Sequence, residues 1–348
     1  MNAFIALTVA ALAAGTADTP DQPQVAPVRV VTTLPVYASI TRAVGGDEVE
    51  VVSIADPNED SHFVRPKPSY ALEIRRADMF VTTGLDLELW VPALLDKAGN
   101  GDVMEGAQGY VTAHTGIELL DIPTAADRSQ GDIHIYGNPH LHTDPLRALQ
   151  VARNITTGLK RVAPDRASVF DAGLAAYQAE TYEHLFGARL VELLEGPTLE
   201  RLALNGNLFS FLRANEYEGT PLIEHLGGWL EQAMPLRGAR MICYHVNWSY
   251  FEERFGVDCT AYVETKPGIS PTPRHVARLI DLMRTQDLSV VFAANYFDPG
   301  RVENVARRGD AQAVIVPMQT NPRAGIDSYF DLVDVWVTEL VDAMSSGE

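Results

Sequence analysis

The chain has little cysteine, few aromatic residues and a shortage of positive charge. It holds two Cys in 348 residues, too few for a disulfide scaffold or for a zinc site built mainly from cysteine. Aromatic residues make up 8%, and the 27 Lys and Arg against 46 Asp and Glu leave a formal charge of −19. A chain this acidic is not expected to bind nucleic acid, because it offers no basic face to the phosphates.

Long apolar runs are also missing, apart from one at the N-terminus. Residues 1–15 (MNAFIALTVAALAAG) are apolar and small, but this run is shorter than the roughly 20 residues that span a bilayer. Small residues at 15–17 offer a cleavage site. We therefore expect a signal peptide over residues 1–17, a solvated linker over 18–27 and a periplasmic location.

Familiar catalytic patterns are absent as well. The sequence contains no phosphate-binding loop, no dinucleotide-binding fingerprint and no Gly-x-Ser-x-Gly turn. These absences argue against a nucleotide-dependent enzyme and against a serine hydrolase of the common type.

What is present is a pattern of short β-branched runs and helical segments that occurs twice. Each half follows the order β-α-β-loop-α-β-α, which predicts a parallel sheet flanked by helices. The fold class is therefore α/β with two similar lobes, whose strands are expected near 28–33, 49–54, 79–83, 240–244, 258–263, 288–293 and 313–316.

The segment between the two halves is nearly free of helix breakers. It predicts one long helix, about 28 residues and about 42 Å in length, that joins the lobes. The expected division is an N-terminal lobe over 28–163, a connecting helix over 164–196 and a C-terminal lobe over 197–348. Because ligands bind beyond the carboxyl ends of parallel strands, the cleft between the lobes is the expected site.

The chain contains nine histidines, which are its main candidates for binding a metal ion. His62, His140 and His245 follow strands or lie in loops that should face the cleft. Their wide spacing carries no local metal signature, so a surface or hydrogen-bonded histidine is the alternative for each one. Neutral imidazoles suit Zn²⁺, and three of them with one oxygen make a tetrahedral site.

A series of short motifs runs in order through residues 28–345. They are 31–35 (VTTLP), 45–47 (GGD), 60–63 (DSHF), 83–90 (TGLDLELW), 137–140 (GNPH) with 144–145 (DP), 244–251 (YHVNWSYF) and 264–271 (ETKPGISP). In this order they resemble the solute-binding receptors of bacterial zinc and manganese ABC importers. The resemblance implies two α/β lobes joined by a rigid helix, with a metal ion in the cleft.

The resemblance also implies the ligands. By motif match they are His62, His140 and His245, commonly with an acidic fourth ligand. Three histidines favour Zn²⁺, because manganese receptors tend to use two histidines and two carboxylates. Where relatives place a late Asp this chain has residues 319–322 (QTNP), so Asn321, Asp298 or a water could be the fourth ligand; we expect water.

Two further pairs of residues have open roles. His134 and His142 flank His140, either as metal collectors in a loop or as incidental histidines. Cys243 and Cys259 lie in consecutive predicted strands, where they form either a disulfide or two buried thiols. The remaining histidines are expected to be structural or at the surface; they are His114, His184, His225 and His275.

The resulting hypothesis is a monomeric periplasmic receptor that binds Zn²⁺ and docks on the membrane permease of an ABC importer, without catalysing a reaction. Capture should weaken as pH falls through the histidine range. The alternatives are a Mn²⁺ or Fe²⁺ receptor of the same kind, a three-histidine metallohydrolase and an adhesin-like binding module. The hydrolase would need a general base near the metal, and no acidic residue is clearly placed for one.

Overall fold

The computed structural model describes residues 26–123, 134–266 and 268–345. The predicted signal peptide, most of the predicted linker and residues 124–133 lie outside this part of the chain.

Two four-stranded parallel sheets form the frame of the protein. The first has the strand order β2-β1-β3-β4 and the second has the order β10-β9-β7-β8. Counted within its own sheet, each follows the order second, first, third, fourth. The prediction of two similar α/β lobes is therefore confirmed. The strands are β1 Val28–Thr32, β2 Val49–Ser53, β3 Met79–Thr82, β4 Tyr110–Thr112, the short pair β5 Glu216–Tyr217 and β6 Thr220–Pro221, β7 Arg240–Cys243, β8 Asp258–Tyr262, β9 Val290–Ala294 and β10 Gln312–Val316.

Helices cover the faces of both sheets. They are α1 Pro35–Gly45, α2 Pro68–Arg75, α3 Val91–Ala98, α4 Pro145–Val162, α5 Ala167–Phe186, α6 Ala188–Leu194, α7 Gly196–Leu204, α8 Leu208–Ala214, α9 Gly228–Gln232, α10 Ser249–Phe255, α11 Pro273–Gln286, α12 Pro299–Arg308 and α13 Tyr329–Ser345.

Local sequence explains where many of these elements begin. Proline occupies the first turn of α1, α2, α4, α11 and α12, where a missing N–H costs nothing. The side chains of Asp144, Thr272 and Asp298 accept hydrogen bonds from the first backbone N–H groups of α4, α11 and α12. These caps place the loops before each helix at fixed positions on the sheet edge.

The long helix predicted over residues 164–196 is present as α5, but it is shorter than predicted. A 3₁₀ turn at Pro164–Arg166 precedes α5, and α5 ends at Phe186 before α6 begins at Ala188. Gly187 has φ 82° and lies against Gly227, where an added Cβ would come within 2.6 Å of the Gly227 Cα. Only glycine fits this left-handed, crowded position, so the helix breaks there. The 20-residue α5 is about 30 Å long.

One continuous apolar cluster joins the two sheets. It contains Phe80 of the first sheet, Phe170 of α5, Phe292 of the second sheet and Trp336 of α13, each with 0% exposure. The lobes are therefore held together by a shared core as well as by the chain.

A disulfide links neighbouring strands of the second sheet. Cys243 of β7 and Cys259 of β8 are bonded, with their Cα atoms 5.3 Å apart. Of the two possibilities that the sequence left open for these cysteines, the structure has the disulfide.

Candidate metal site

Histidines from widely separated parts of the chain meet at the carboxyl ends of the strands. The ring nitrogens of His62, His134 and His140 that could bind an ion all lie within 4.8 Å of one another. We call these three residues the histidine trio. The ring of His245 lies beside the trio, with its centroid 6.3 Å from that of His62 and 6.5 Å from that of His140.

His62 is held by a tight turn after β2. The Asp60 side chain caps this turn by accepting the His62 backbone N–H at 3.0 Å, and its Oδ1 also lies 2.6 Å from Nδ1 of the imidazole. The Trp90 indole anchors the same turn through a 2.9 Å bond to the Ser61 carbonyl. Because the Asp60 carboxylate accepts a hydrogen bond from Nδ1–H, the lone pair of His62 is on Nε2, which lies 3.0 Å from Nε2 of His134.

His140 is buried at the entrance to α4. Its backbone N–H donates to Asn138 Oδ1 at 3.0 Å, and its carbonyl accepts the Thr143 hydroxyl at 3.0 Å. The side chain differs, because its Nε2 is buried and has no hydrogen-bond partner among the residues that the structure describes. A buried polar atom without a partner is costly, so this nitrogen needs a ligand to satisfy it.

His245 follows β7 directly. Its Nδ1 lies 3.1 Å from the backbone carbonyl of Glu264 in the loop after β8. Since a carbonyl only accepts, Nδ1 carries the proton and Nε2 keeps the lone pair. The neighbouring backbone bonds from Val263 to Cys243 and from Glu264 to Tyr244 fix this loop against β7.

The histidine rings of the site resist protonation. Burial, helped by the neighbouring His62 and His245, lowers the pKa of His134 to about 3. Burial also lowers the pKa of His245 to about 4 and that of His140 well below its ordinary value. Neutral rings are the form that binds metal, so these nitrogens are ready to act as ligands at neutral pH.

Two carboxylates lie close to the rings. Burial alone would raise the pKa of Asp60, but its hydrogen bonds and charge interaction with His62 lower it overall. Burial raises the pKa of Glu264, whose Oε1 accepts the Gly268 N–H at 2.9 Å. Asp60 therefore supplies a negative charge next to the rings, and its oxygen already binds the far side of an imidazole.

The structure separates the two histidines that flank His140 in the sequence. His134 joins the trio, whereas His142 is 1% exposed and its Nε2 bonds to the Met318 carbonyl at 3.1 Å. A metal-collecting role for His142 in an open loop is therefore wrong, because its ring is in the core. The spacing in the sequence gave no signal for this difference.

Asp298 and Asn321, two of the suggested fourth ligands, have local hydrogen-bond partners. The Asp298 carboxylate caps α12 by accepting the Arg301 N–H at 2.9 Å, and it is outside the trio. Asn321 pairs its backbone with Ile326 in a short turn. His134, whose role the sequence analysis left open, lies beside His62, with the two Nε2 atoms 3.0 Å apart.

The other histidines have local partners. His114 and His275 bond to the carbonyls of Thr83 and Tyr262, each at 2.8 Å. His184 stacks on Phe330, with ring centroids 4.9 Å apart, and His225 lies beside Tyr217.

Two parallel α/β sheets with a histidine cluster at their strand ends are the architecture of a metal-binding protein. A family model described as the periplasmic component A of the zinc-uptake complex, ZnuA, matches residues 30–184 and 215–343. The chain belongs to this family, as the motifs of the sequence indicated.

Similar proteins carry the names of several metals. The iron-binding protein YfeA of Yersinia pestis is 21% identical over 312 residues, covering 89% of this chain and 84% of YfeA. The manganese-binding lipoprotein MntA of Halalkalibacterium halodurans is 20% identical over 353 residues, covering 98% and 97%. A zinc-bound ZnuA deletion mutant superposes with a TM-score of 0.66 at 19% identity, covering 91% and 98%, which supports the fold. The family therefore establishes metal binding but leaves the metal open.

Within the three described ranges, none of the helices combines the length and the apolar character needed to cross a bilayer.

Proposed function

We propose that this protein captures Zn²⁺ in the periplasm and delivers it to the membrane permease of an ABC importer. The observation that carries the proposal is the buried Nε2 of His140, a member of the histidine trio, which has no hydrogen-bond partner within the described ranges. His62, His134 and His140 are the proposed first ligands, and His245 is the fourth.

The donor set favours Zn²⁺ over Mn²⁺. Zn²⁺ binds imidazole nitrogen readily, whereas Mn²⁺ prefers carboxylate and water oxygen. Two nitrogens on one tetrahedral Zn²⁺ lie roughly 3.3 Å apart. The Nε2 atoms of His62 and His134 are already 3.0 Å apart, so small side-chain movements would accommodate the ion.

Four histidine ligands favour binding over catalysis. Structural zinc sites use four protein ligands, whereas catalytic sites keep one position for water. With His134 in place, no position remains for the water of a metallohydrolase. The disulfide supports export, because such bonds persist in oxidising compartments.

The test is metal binding by the full exported chain, purified without metal and titrated with Zn²⁺, Mn²⁺ and Fe²⁺ against a competing chelator. We expect one Zn²⁺ per chain, bound far more tightly than Mn²⁺. His134→Ala should weaken Zn²⁺ binding, whereas the control His184→Gln should leave it unchanged, because His184 lies on α5 against Phe330 and not in a segment that carries a proposed ligand. Tighter binding of Mn²⁺ than of Zn²⁺ would contradict the proposal, and equal behaviour of the two variants would remove His134 from the site.

A further inference from the structure

A cluster of four charged residues, three of them buried, lies between the segments that carry His140 and His245. We propose that this cluster, formed by Asp144, Arg147, Glu253 and Arg254, is a positioning element that sets the separation of those two ligands. The inference rests on the proposed metal-binding function and names the residues that hold its geometry. We call these four residues the ion cluster.

The ion cluster is tightly connected. Arg254 donates from Nε to Asp144 Oδ1 at 2.8 Å and from Nη2 to Oδ2 at 2.9 Å, which makes a bidentate pair. Arg147 Nη1 lies 2.7 Å from Asp144 Oδ2 and 2.6 Å from Glu253 Oε2. Asp144 has 0% exposure, and the charges of two arginines balance those of two carboxylates.

Each side of the ion cluster is coupled to one metal ligand. Asp144 follows His140 by one short 3₁₀ turn, and the carbonyl of His140 accepts both the N–H and the hydroxyl of Thr143 within that turn. Arg254 is on α10, which begins shortly after His245. The bidentate pair therefore closes a loop of contacts that runs from His140 to His245.

A second set of bonds joins the same two segments on the other side of His140. Asn138 Nδ2 donates to the Val246 carbonyl at 2.9 Å, and Tyr250 donates its hydroxyl to the Asn138 carbonyl at 2.6 Å. The Arg147 guanidinium lies over the Tyr250 ring, 4.5 Å from its centroid. Contacts on both sides of His140 thus fix it relative to the chain around His245.

The chemistry of the pair suits positioning. A planar guanidinium that binds both carboxylate oxygens fixes distance and angle, whereas a lysine ammonium fixes neither. Metal sites depend on such supporting contacts, because ligands must be held within about 0.5 Å of the productive geometry. Replacing Arg254 by lysine keeps the positive charge but removes the pair of hydrogen bonds that fixes the distance and angle to Asp144.

The chain offers a matched control. Arg153 of α4 makes the same kind of bidentate pair with Glu200 of α7, at 2.6 and 2.8 Å. Arg153 is nine residues beyond Asp144, about 13 Å along the helix and away from the histidines. If both arginines only stabilise the fold, replacing either one should lower stability and leave Zn²⁺ affinity alike in the two variants. If Arg254 also positions the ligands, only its replacement should lower Zn²⁺ affinity.

The experiment compares Arg254→Lys with Arg153→Lys in the full chain. Zn²⁺ affinity is measured by chelator competition, site geometry by the visible spectrum of bound Co²⁺, and stability by urea unfolding of the metal-free protein. We expect both variants to lose stability. Only Arg254→Lys should lose Zn²⁺ affinity, by about tenfold as for other residues that support ligands, and shift the Co²⁺ bands.

Affinity and Co²⁺ bands that change equally in both variants, or in neither, would overturn the inference. If Arg254→Lys does not fold, Glu253→Gln removes only the bond to Arg147 from a half-exposed side chain and should produce a smaller change in the same direction. An unchanged affinity and spectrum in Glu253→Gln would then overturn it. A wild-type chain that binds neither Zn²⁺ nor Co²⁺ would instead contradict the proposed function.

Discussion

The two sheets have the same strand order, yet they contribute unequally to the site. The chain before α5 supplies His62, His134 and His140, which form a compact trio. Among the described residues, the chain after α5 supplies one histidine, His245, at the edge of that trio. Identical topology thus sets where ligands can be placed, while the loops decide how many are present.

The supporting contacts differ in the same way. The imidazole of His62 is held by the Asp60 carboxylate at 2.6 Å, whereas that of His245 is held by the Glu264 backbone carbonyl at 3.1 Å. A carboxylate both orients a ring and makes it a stronger metal ligand, while a neutral carbonyl mainly orients it. We therefore expect the first half of the chain to contribute most of the affinity and His245 to complete the site.

The largest effect should come from removing a ligand. His140→Ala is expected to weaken Zn²⁺ binding by more than about 100-fold, beyond the usual loss for a supporting residue. His245→Ala should also weaken binding, but less, because the trio remains. Chelator competition measures both affinities. A greater loss of Zn²⁺ affinity in His245→Ala than in His140→Ala would contradict the expectation that the first half of the chain contributes most of the affinity.

A smaller effect is expected from the carboxylate behind His62. Asp60→Asn keeps the shape of the side chain but removes its charge, and should weaken Zn²⁺ binding by about 10-fold to 100-fold. Asp56→Asn is the control, since the Asp56 side chain accepts a bond from Asn58 in the same loop. Equal affinities for the two variants in the same competition assay would show that the Asp60 charge is unimportant.

The smallest effect concerns the pH dependence of the metal-free protein. The pKa values of about 3 for His134 and about 4 for His245 lie below the ordinary value of about 6.5. At a pH between the folded-state and the ordinary pKa, these histidines are protonated in the unfolded chain and neutral in the folded one. The free energy of unfolding should therefore fall as pH drops from about 6.5 to about 4. Urea unfolding at a series of pH values measures this slope.

A variant sharpens the pH experiment. His245→Gln removes one of the titrating groups, so its stability should depend less steeply on pH within the same window. If the free energy of unfolding of His245→Gln depends on pH as steeply as that of the wild type, His245 does not contribute to the pH dependence.

Much of the frame could be predicted from the sequence. Proline at helix starts and short β-branched strands predicted most elements of the two lobes, and strand-end positions singled out His62, His140 and His245. The break at Gly187 was missed, because it depends on a close approach to Gly227 that local spacing does not encode.

The position of His134 beside His62 was not predicted, for a related reason. His134 and His142 lie on either side of His140, and only tertiary packing places one beside His62 and the other beside Met318. A neutral buried histidine has the same sequence signature whether it binds metal or a carbonyl. The bidentate pair of Asp144 and Arg254 was equally hidden, since its partners are 110 residues apart.

The shared apolar core has a consequence for how an ion enters and leaves. Swinging the lobes apart would expose side chains such as Phe170 and Trp336 to water, and the free-energy cost grows with the apolar area exposed. Exchange of the ion should therefore proceed by local movement of individual ligand segments. In kinetic terms, the release rate would be set by the least anchored ligand rather than by an opening of the whole molecule.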